Sequence, residues 1–138
     1  MKLLDRIRLY PRQHRGDARG WLLKCINGHE DGLPSATGEF YVVMALPGKI
    51  RGGHYHPHAQ EWFTLIQGRA TLLVADPNTN ERAELTLTAD VPMTIHMPAG
   101  IAHAFRAEQR EDEPPMLLTA YSDLLYDPAD TIPFSFEE

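Results

Sequence analysis

The chain has 138 residues, one cysteine and a formal net charge of −6; 43% of it is hydrophobic and 23% charged. That length fits one domain, and the balance is that of a globular chain rather than a disordered one. The acidic charge argues against a nucleic-acid-binding surface, the lone Cys25 rules out an internal disulfide and a cysteine zinc site, and no apolar stretch approaches a membrane span.

Taken in chain order, residues 1–20 form a polar, basic arm without the apolar run of an export signal, so a cytoplasmic protein is expected. The arm ends in the turn-prone run Arg15-Gly16-Asp17-Ala18-Arg19-Gly20. Residues 21–26 read as a short strand, 28–38 as a Gly/Asp/Asn/Pro loop, and 40–46 as a β-branched and aromatic strand closed by Pro47-Gly48. Strands follow at 53–56, 62–67 and 69–75, the last ending at Asp76-Pro77-Asn78-Thr79-Asn80, a hairpin loop. Residues 84–88 alternate, and 92–97 and 103–107 are strands joined by Pro98-Ala99-Gly100. A charged loop at 110–115 precedes a strand at 116–121, and residues 122–138 read as an irregular tail. No stretch has a helical period. Many short, evenly spaced strands with turn residues between them predict an all-β sandwich or barrel in a single domain.

The segment from Gly48 to Gly68 carries the chemistry. Residues two apart on a strand share a face, so His54 and His56 project together and Tyr55 points away. Pro57 cannot donate to a sheet ladder and helps end the strand. The chain then returns, and Glu61 reaches the same space. Two imidazoles and a carboxylate with open positions suit Fe(II), Mn or Zn. Further on, Pro98 and Gly100 shape a turn ahead of His103, placed to supply a fourth ligand from across the barrel. The expected cofactor is one divalent metal ion (Zn, Fe, Mn or Ni) on His54, His56, Glu61 and His103. His14, His29, His58 and His96 have no motif partner; His96, on a strand beside the second motif, is the best of them for a supporting role.

These two segments resemble the paired motifs of the cupins. The first matches their glycine–His–x–His–Glu–glycine pattern and the second their Pro–x–Gly–x–x–His portion. Pro92 and Ala107 depart at shape positions where that family often has glycine and asparagine. The resemblance implies a double-stranded β-helix, or jelly-roll barrel, and a homodimer.

A narrower resemblance is to the sugar-nucleotide cupins, namely the dTDP-4-dehydrorhamnose 3,5-epimerases and the C-terminal cupin domain of capsular polysaccharide biosynthesis reductases. It rests on Asp17-Ala18-Arg19-Gly20-Trp21, Arg51-Gly52-Gly53-His54-Tyr55-His56, the run from Pro98 to Phe105, and Tyr126-Asp127-Pro128 with Asp130. It implies proton abstraction beside the ketone of a nucleotide-linked 4-keto-6-deoxy sugar, as isomerase or epimerase, in surface polysaccharide synthesis. His54 matches the epimerases' base where the site is metal-free. Tyr121 and Tyr126 are candidate acids. Arg19, Arg51 and Arg69 are candidates for the diphosphate, because the guanidinium fork matches phosphate oxygens. Glu61 stands where those epimerases carry lysine, which sets this chain nearer the metal-binding capsular type. Alternatives are an Fe(II) dioxygenase and a non-catalytic sugar-binding module.

Overall fold

A computed structural model describes residues 3–6 and 8–136. Residues 1, 2, 7, 137 and 138, within the expected arm and tail, lie outside the described residues. Eleven strands run in chain order: β1 (Arg15–Asp17), β2 (Gly20–Ile26), β3 (Glu39–Ala45), β4 (Ile50–Tyr55), β5 (Glu61–Gln67), β6 (Arg69–Ala75), β7 (Arg82–Thr88), β8 (Thr94–Met97), β9 (Ala102–Ala107), β10 (Met116–Ser122) and β11 (Ile132–Pro133). They form a six-stranded sheet ordered β1-β2-β3-β10-β5-β8 and a five-stranded sheet ordered β11-β4-β9-β6-β7, with every pairing antiparallel. This is the two-sheet jelly roll expected from the sequence. Among the described residues no helix is long and apolar enough to cross a membrane.

Alternation decides the core. Val43, Phe63, Leu65 and Leu118 face inward from the larger sheet and meet Leu72, Leu87 and Phe105 from the smaller one. Phe63 and Phe105 close edge to face with centroids 4.9 Å apart, worth about 0.5–1.5 kcal/mol beyond their buried area. The hairpin loop after β6 is where it was expected, and Asn80 takes φ 61° in it, a left-handed conformation that asparagine tolerates.

The turn expected in residues 15–20 is present: β1 pairs with β2 across Asp17–Gly20, and Asp17 Oδ1 accepts from the Arg19 amide at 2.8 Å. Two expectations need correction. Strand β8 begins at Thr94 rather than at residue 92. The tail is not irregular: a 3-10 turn spans Pro128–Asp130, and β11 adds to β4 through Ile132 opposite Tyr55 and Pro133 opposite His54. Two-residue strands carry too little apolar pattern to read from sequence.

Candidate metal centre

Strand β4 contains the device that aims the first histidine. Gly52 and Gly53 have φ 98° and 81°, and the register with β9 shifts between Gly52 and His54. This bulge brings His54 opposite His103. A Cβ on Gly52 would stand 3.0 Å from the His103 carbonyl oxygen, so glycine is required both by its dihedrals and by the close approach. His56 lies one residue past the end of β4, not on the strand as expected. Glu61 opens β5 in the opposite sheet. The centre therefore takes two side chains from one sheet, one from the other, and one from the connection between them.

The four side chains converge. One ligand atom each from His54, His56, Glu61 and His103 lies within 4.8 Å of the others. Metal–ligand bonds of about 2.1 Å would separate adjacent ligand atoms by about 3–3.4 Å, so small movements suffice. His56 Nε2 is 2.9 Å and His103 Nε2 3.3 Å from Glu61 Oε1. The outward nitrogens are held: Nδ1 of His56 sits 2.8 Å from the Asp130 carbonyl and Nδ1 of His103 3.0 Å from the Ile101 carbonyl. A carbonyl only accepts, so each Nδ1 carries a proton, and the neutral form of either ring turns an Nε2 lone pair toward the carboxylate.

Lone pairs facing a carboxylate repel unless something positive lies between them. Glu61 Oε1 and His103 Nε2 are both buried without a hydrogen bond. Buried polar atoms are rarely left so, and a cation would satisfy both at once. The remaining carboxylate oxygen, Oε2, accepts from the Tyr41 hydroxyl at 2.6 Å. The donor set fits a divalent first-row metal.

Electrostatics point the same way for His54 and Glu61, while at His56 a proton competes with a cation for the place beside Glu61. Burial, then the neighbouring His103 and His56, bring the His54 pKa down to about 4, so its lone pair is free at neutral pH. Burial would raise the Glu61 pKa, but the His103 and His56 imidazoles and the Tyr41 hydroxyl outweigh it and hold the group ionised. Burial also opposes a charge on His56, and the facing Glu61 carboxylate more than offsets it, raising its pKa. Burial and the Glu61 charge push Tyr41 well above its ordinary value, so it stays a hydroxyl donor.

Two cavities flank His54. One, of about 150 Å³, is lined by Lys24, Glu39, Tyr41, His56, Glu61 and Tyr126 among others. The second, of about 250 Å³, holds Arg19, Arg51 and His103. Leu22, Tyr41 and His54 border both. Arg51 donates to the carbonyls of Met44 at 2.9 Å and Trp21 at 3.3 Å, and Arg19 pairs with Asp17 at 2.7 Å.

Two expected site residues lie elsewhere. Tyr121 is on the outer face of β10 against Trp62, with ring centroids 5.9 Å apart, because Ala120 and Ser122 take the inward positions. Arg69 stands at the far end of β6, beyond Ala70 opposite Ala107, whereas His103 is opposite Val74; it pairs with Glu113 at 2.8 Å. His96 is also outward, stacked on Trp62 and 2.7 Å from Gln60 Oε1.

Sequence reasoning missed Tyr41, Lys24, Glu39 and the capping role of Asp130. The Asp130 carboxylate accepts from the amides of His58 at 2.8 Å and Ala59 at 3.0 Å, and so pins the turn that carries His56. Parity along β3 is the signal for Tyr41 and Glu39, since both share the inward face of Val43 and Ala45.

Residues 15–132 match the polysaccharide biosynthesis C-terminal domain family. The spore coat polysaccharide biosynthesis protein SpsL of Bacillus subtilis is 21% identical over 131 residues, covering 91% of this chain and 84% of its own. Among solved structures, the capsular polysaccharide assembling protein CapF of Staphylococcus aureus superposes with a TM-score of 0.79 at 23% identity over 92% of this chain. A point variant of oxalate decarboxylase from Bacillus subtilis gives 0.68 at 20% identity over 89% of this chain. The chain spans 32% of the CapF chain and 30% of the decarboxylase chain. These structural likenesses establish the cupin fold.

Proposed function

Since the chain belongs to the polysaccharide biosynthesis C-terminal domain family, we propose that it is a metal-dependent cupin that isomerises or epimerises a nucleotide-linked 4-keto-6-deoxy sugar for surface polysaccharide synthesis. The observation that carries this reading is a four-residue metal centre set between two cavities of unlike character. Arg19 and Arg51 face one of them. Burial and then the Arg19 charge lower the Arg51 pKa, and two guanidiniums facing one space favour an anion such as a diphosphate. Lys24, Glu39 and Tyr126 face the other, where the sugar would lie.

His54, His56, Glu61 and His103 would hold the metal, which supplies positive charge to polarise a ketone. Asp130 and Ile101 orient the ligands through their carbonyls. Tyr126, 60% exposed over Lys24 at the cavity mouth, is the candidate acid. The setting for such a substrate is the cytoplasm. A homodimer belongs to the same reading. The outward positions of β3, β5 and β10, including Val42, Met44, Trp62, Ile66, Leu117 and Tyr121, carry no charged residue, and sedimentation equilibrium measures the association.

The test is to load the protein with zinc, manganese or iron and incubate it in D₂O with 4-keto-6-deoxy sugars on UDP or dTDP. Mass spectrometry should find deuterium at carbons beside the ketone. Uptake by none of these substrates refutes the isomerase reading, and oxygen consumption by the iron form would replace it with a dioxygenase.

A further inference from the structure

We propose that Glu39 is the general base of the cavity beside the metal centre, with Lys24 as its positioning cation. The inference rests on the isomerase reading above. A neutral imidazole with one nitrogen protonated and the other on a metal has no lone pair left for a substrate proton, and Glu61 would be held by the metal through Oε1 and is held by the Tyr41 hydroxyl through Oε2. These four are therefore engaged, and the base is sought among the other groups lining the same cavity.

The other polar groups there are committed. Tyr41 donates to Glu61 at 2.6 Å. The Ser122 hydroxyl donates to the Leu124 carbonyl at 2.9 Å. The Asp127 carboxylate caps the Ala129 amide at 2.9 Å, and that of Asp130 holds the amides of His58 and Ala59. Thr131 Oγ1 lies 3.3 Å from the Asp127 carbonyl, within reach to donate. Among the described residues lining this cavity, the Lys24–Glu39 pair, the Tyr126 hydroxyl and the second carboxylate oxygen of the exposed Asp127 remain.

Glu39 is the buried carboxylate of that remainder, 6% exposed where Asp127 is exposed, with Lys24 Nζ 3.0 Å from Oε1. Strand register fixes its level: Ser122 of β10 pairs with Glu39 on one side and Glu61 on the other. The two inward carboxylates thus start from Cα atoms two strand spacings apart, about 10 Å. A sugar between them would present one side to the metal centre and the other to Glu39. The pair has little structural return: its strands are already joined by the backbone ladder, and a buried ion pair is often no more stabilising than an apolar one. A carboxylate lining a cavity within reach of a substrate C–H is the geometry that proton abstraction needs.

In the step, the Glu39 carboxylate takes the proton as the C–H bond beside the ketone breaks. The C–H electron pair becomes the C=C bond of an enolate, and the carbonyl π pair moves to oxygen. Isomerisation follows when the hydroxyl proton on the attacked carbon passes to the enolate oxygen and Glu39 returns its proton to the former carbonyl carbon, leaving the ketone on the attacked carbon; epimerisation follows when the Tyr126 hydroxyl protonates the attacked carbon from the opposite face, and the proton left on Glu39 returns to the phenolate through solvent. Lys24, with Nζ 3.0 Å from Oε1, holds the carboxylate in place against the cavity.

Deuterium wash-in by the metal-loaded protein tests the assignment, alongside metal stoichiometry and calorimetric binding of the same nucleotide sugar. E39Q should lower the wash-in rate at least about 100-fold while metal content stays the same and sugar affinity changes less than about threefold. K24M should lower kcat with KM unchanged, and K24R should recover most of the loss. If E39Q fails to fold, E39D keeps the charge, withdraws it by one methylene, and should slow wash-in with the metal retained. Wash-in by a folded E39Q, or by E39D in its place, within threefold of the unaltered protein overturns the role of Glu39 and leaves the functional reading standing. Silence from the unaltered protein on every sugar overturns both.

Discussion

Removing the carboxylate of Asp130 separates support of the metal centre from the ligands themselves. Asp130 is 7% exposed and touches none of the expected ligands through its side chain; it accepts two amide hydrogens, from His58 and Ala59. Hydrogen bonds to a charged group contribute about 1.5–3 kcal/mol each, and an orphaned buried amide costs about 1–3 kcal/mol. Asp130→Ala orphans both amides, although Ala59 is the fully buried one. A loss of about 3 kcal/mol from the metal-free protein is expected, a drop of about 10 °C in Tm at roughly 4 °C per kcal/mol for this length. Asp130→Asn keeps one acceptor and turns an NH₂ toward the other amide, so about half that loss is expected. The same residue's carbonyl sets the His56 ring, and loosening such a support lowers metal affinity about 10–100-fold. Urea unfolding of chelator-stripped protein reads the first effect, and metal titration with a competing chelator reads the second. If Asp130→Ala melts within 2 °C of the unaltered protein and binds metal equally well, the turn at Pro57 does not depend on this cap and the reasoning fails.

Three further outcomes follow from the same geometry. Stripping the metal with a chelator should lower the Tm by about 10 °C when free metal had been about 100-fold above Kd, because binding to the folded state alone contributes about 2.7 kcal/mol there; affinity should weaken between pH 8 and pH 6 as protons compete for His56, whose pKa the Glu61 carboxylate raises. Glu61→Gln should reduce metal affinity by more than the 100-fold typical of supporting residues while far-UV circular dichroism stays unchanged. Gly52→Ala should destabilise by about 2 kcal/mol, since φ 98° is strained for alanine and the new methyl meets the His103 carbonyl at 3.0 Å; a variant as stable as the parent, with metal affinity intact, would show that the bulge does not aim His54.

What could be read from the sequence, and what could not, divides by the distance over which the information acts. The ligand cluster was legible because His54, His56 and Glu61 lie within eight consecutive positions, and strand parity plus a proline-terminated strand suffices to converge them. The sequence pattern still placed His56 on the strand, whereas β4 ends at Tyr55, one residue earlier, ahead of Pro57. Tyr41 was illegible for another reason. Its bond to Glu61 joins β3 and β5, which are not neighbours; β10 lies between them, and no local pattern announces that a strand about 50 residues downstream of β5 inserts there.

That insertion also explains the failure at Tyr121. Once Ser122 is opposite both Glu39 and Glu61, every even position of β10 faces inward and every odd one outward, so Tyr121 joins Trp62 on the outer surface. The placement of β10 decides which of its own residues enters the cavity, while parity along β3 turns Tyr41 and Glu39 inward. Moving β10 by one residue would bring Tyr121 inside and leave Glu39 where it is. The exclusion of Tyr121 is therefore a separate test of the site, which makes a Tyr121→Phe variant, with wash-in and metal content unchanged, the partner experiment to E39Q.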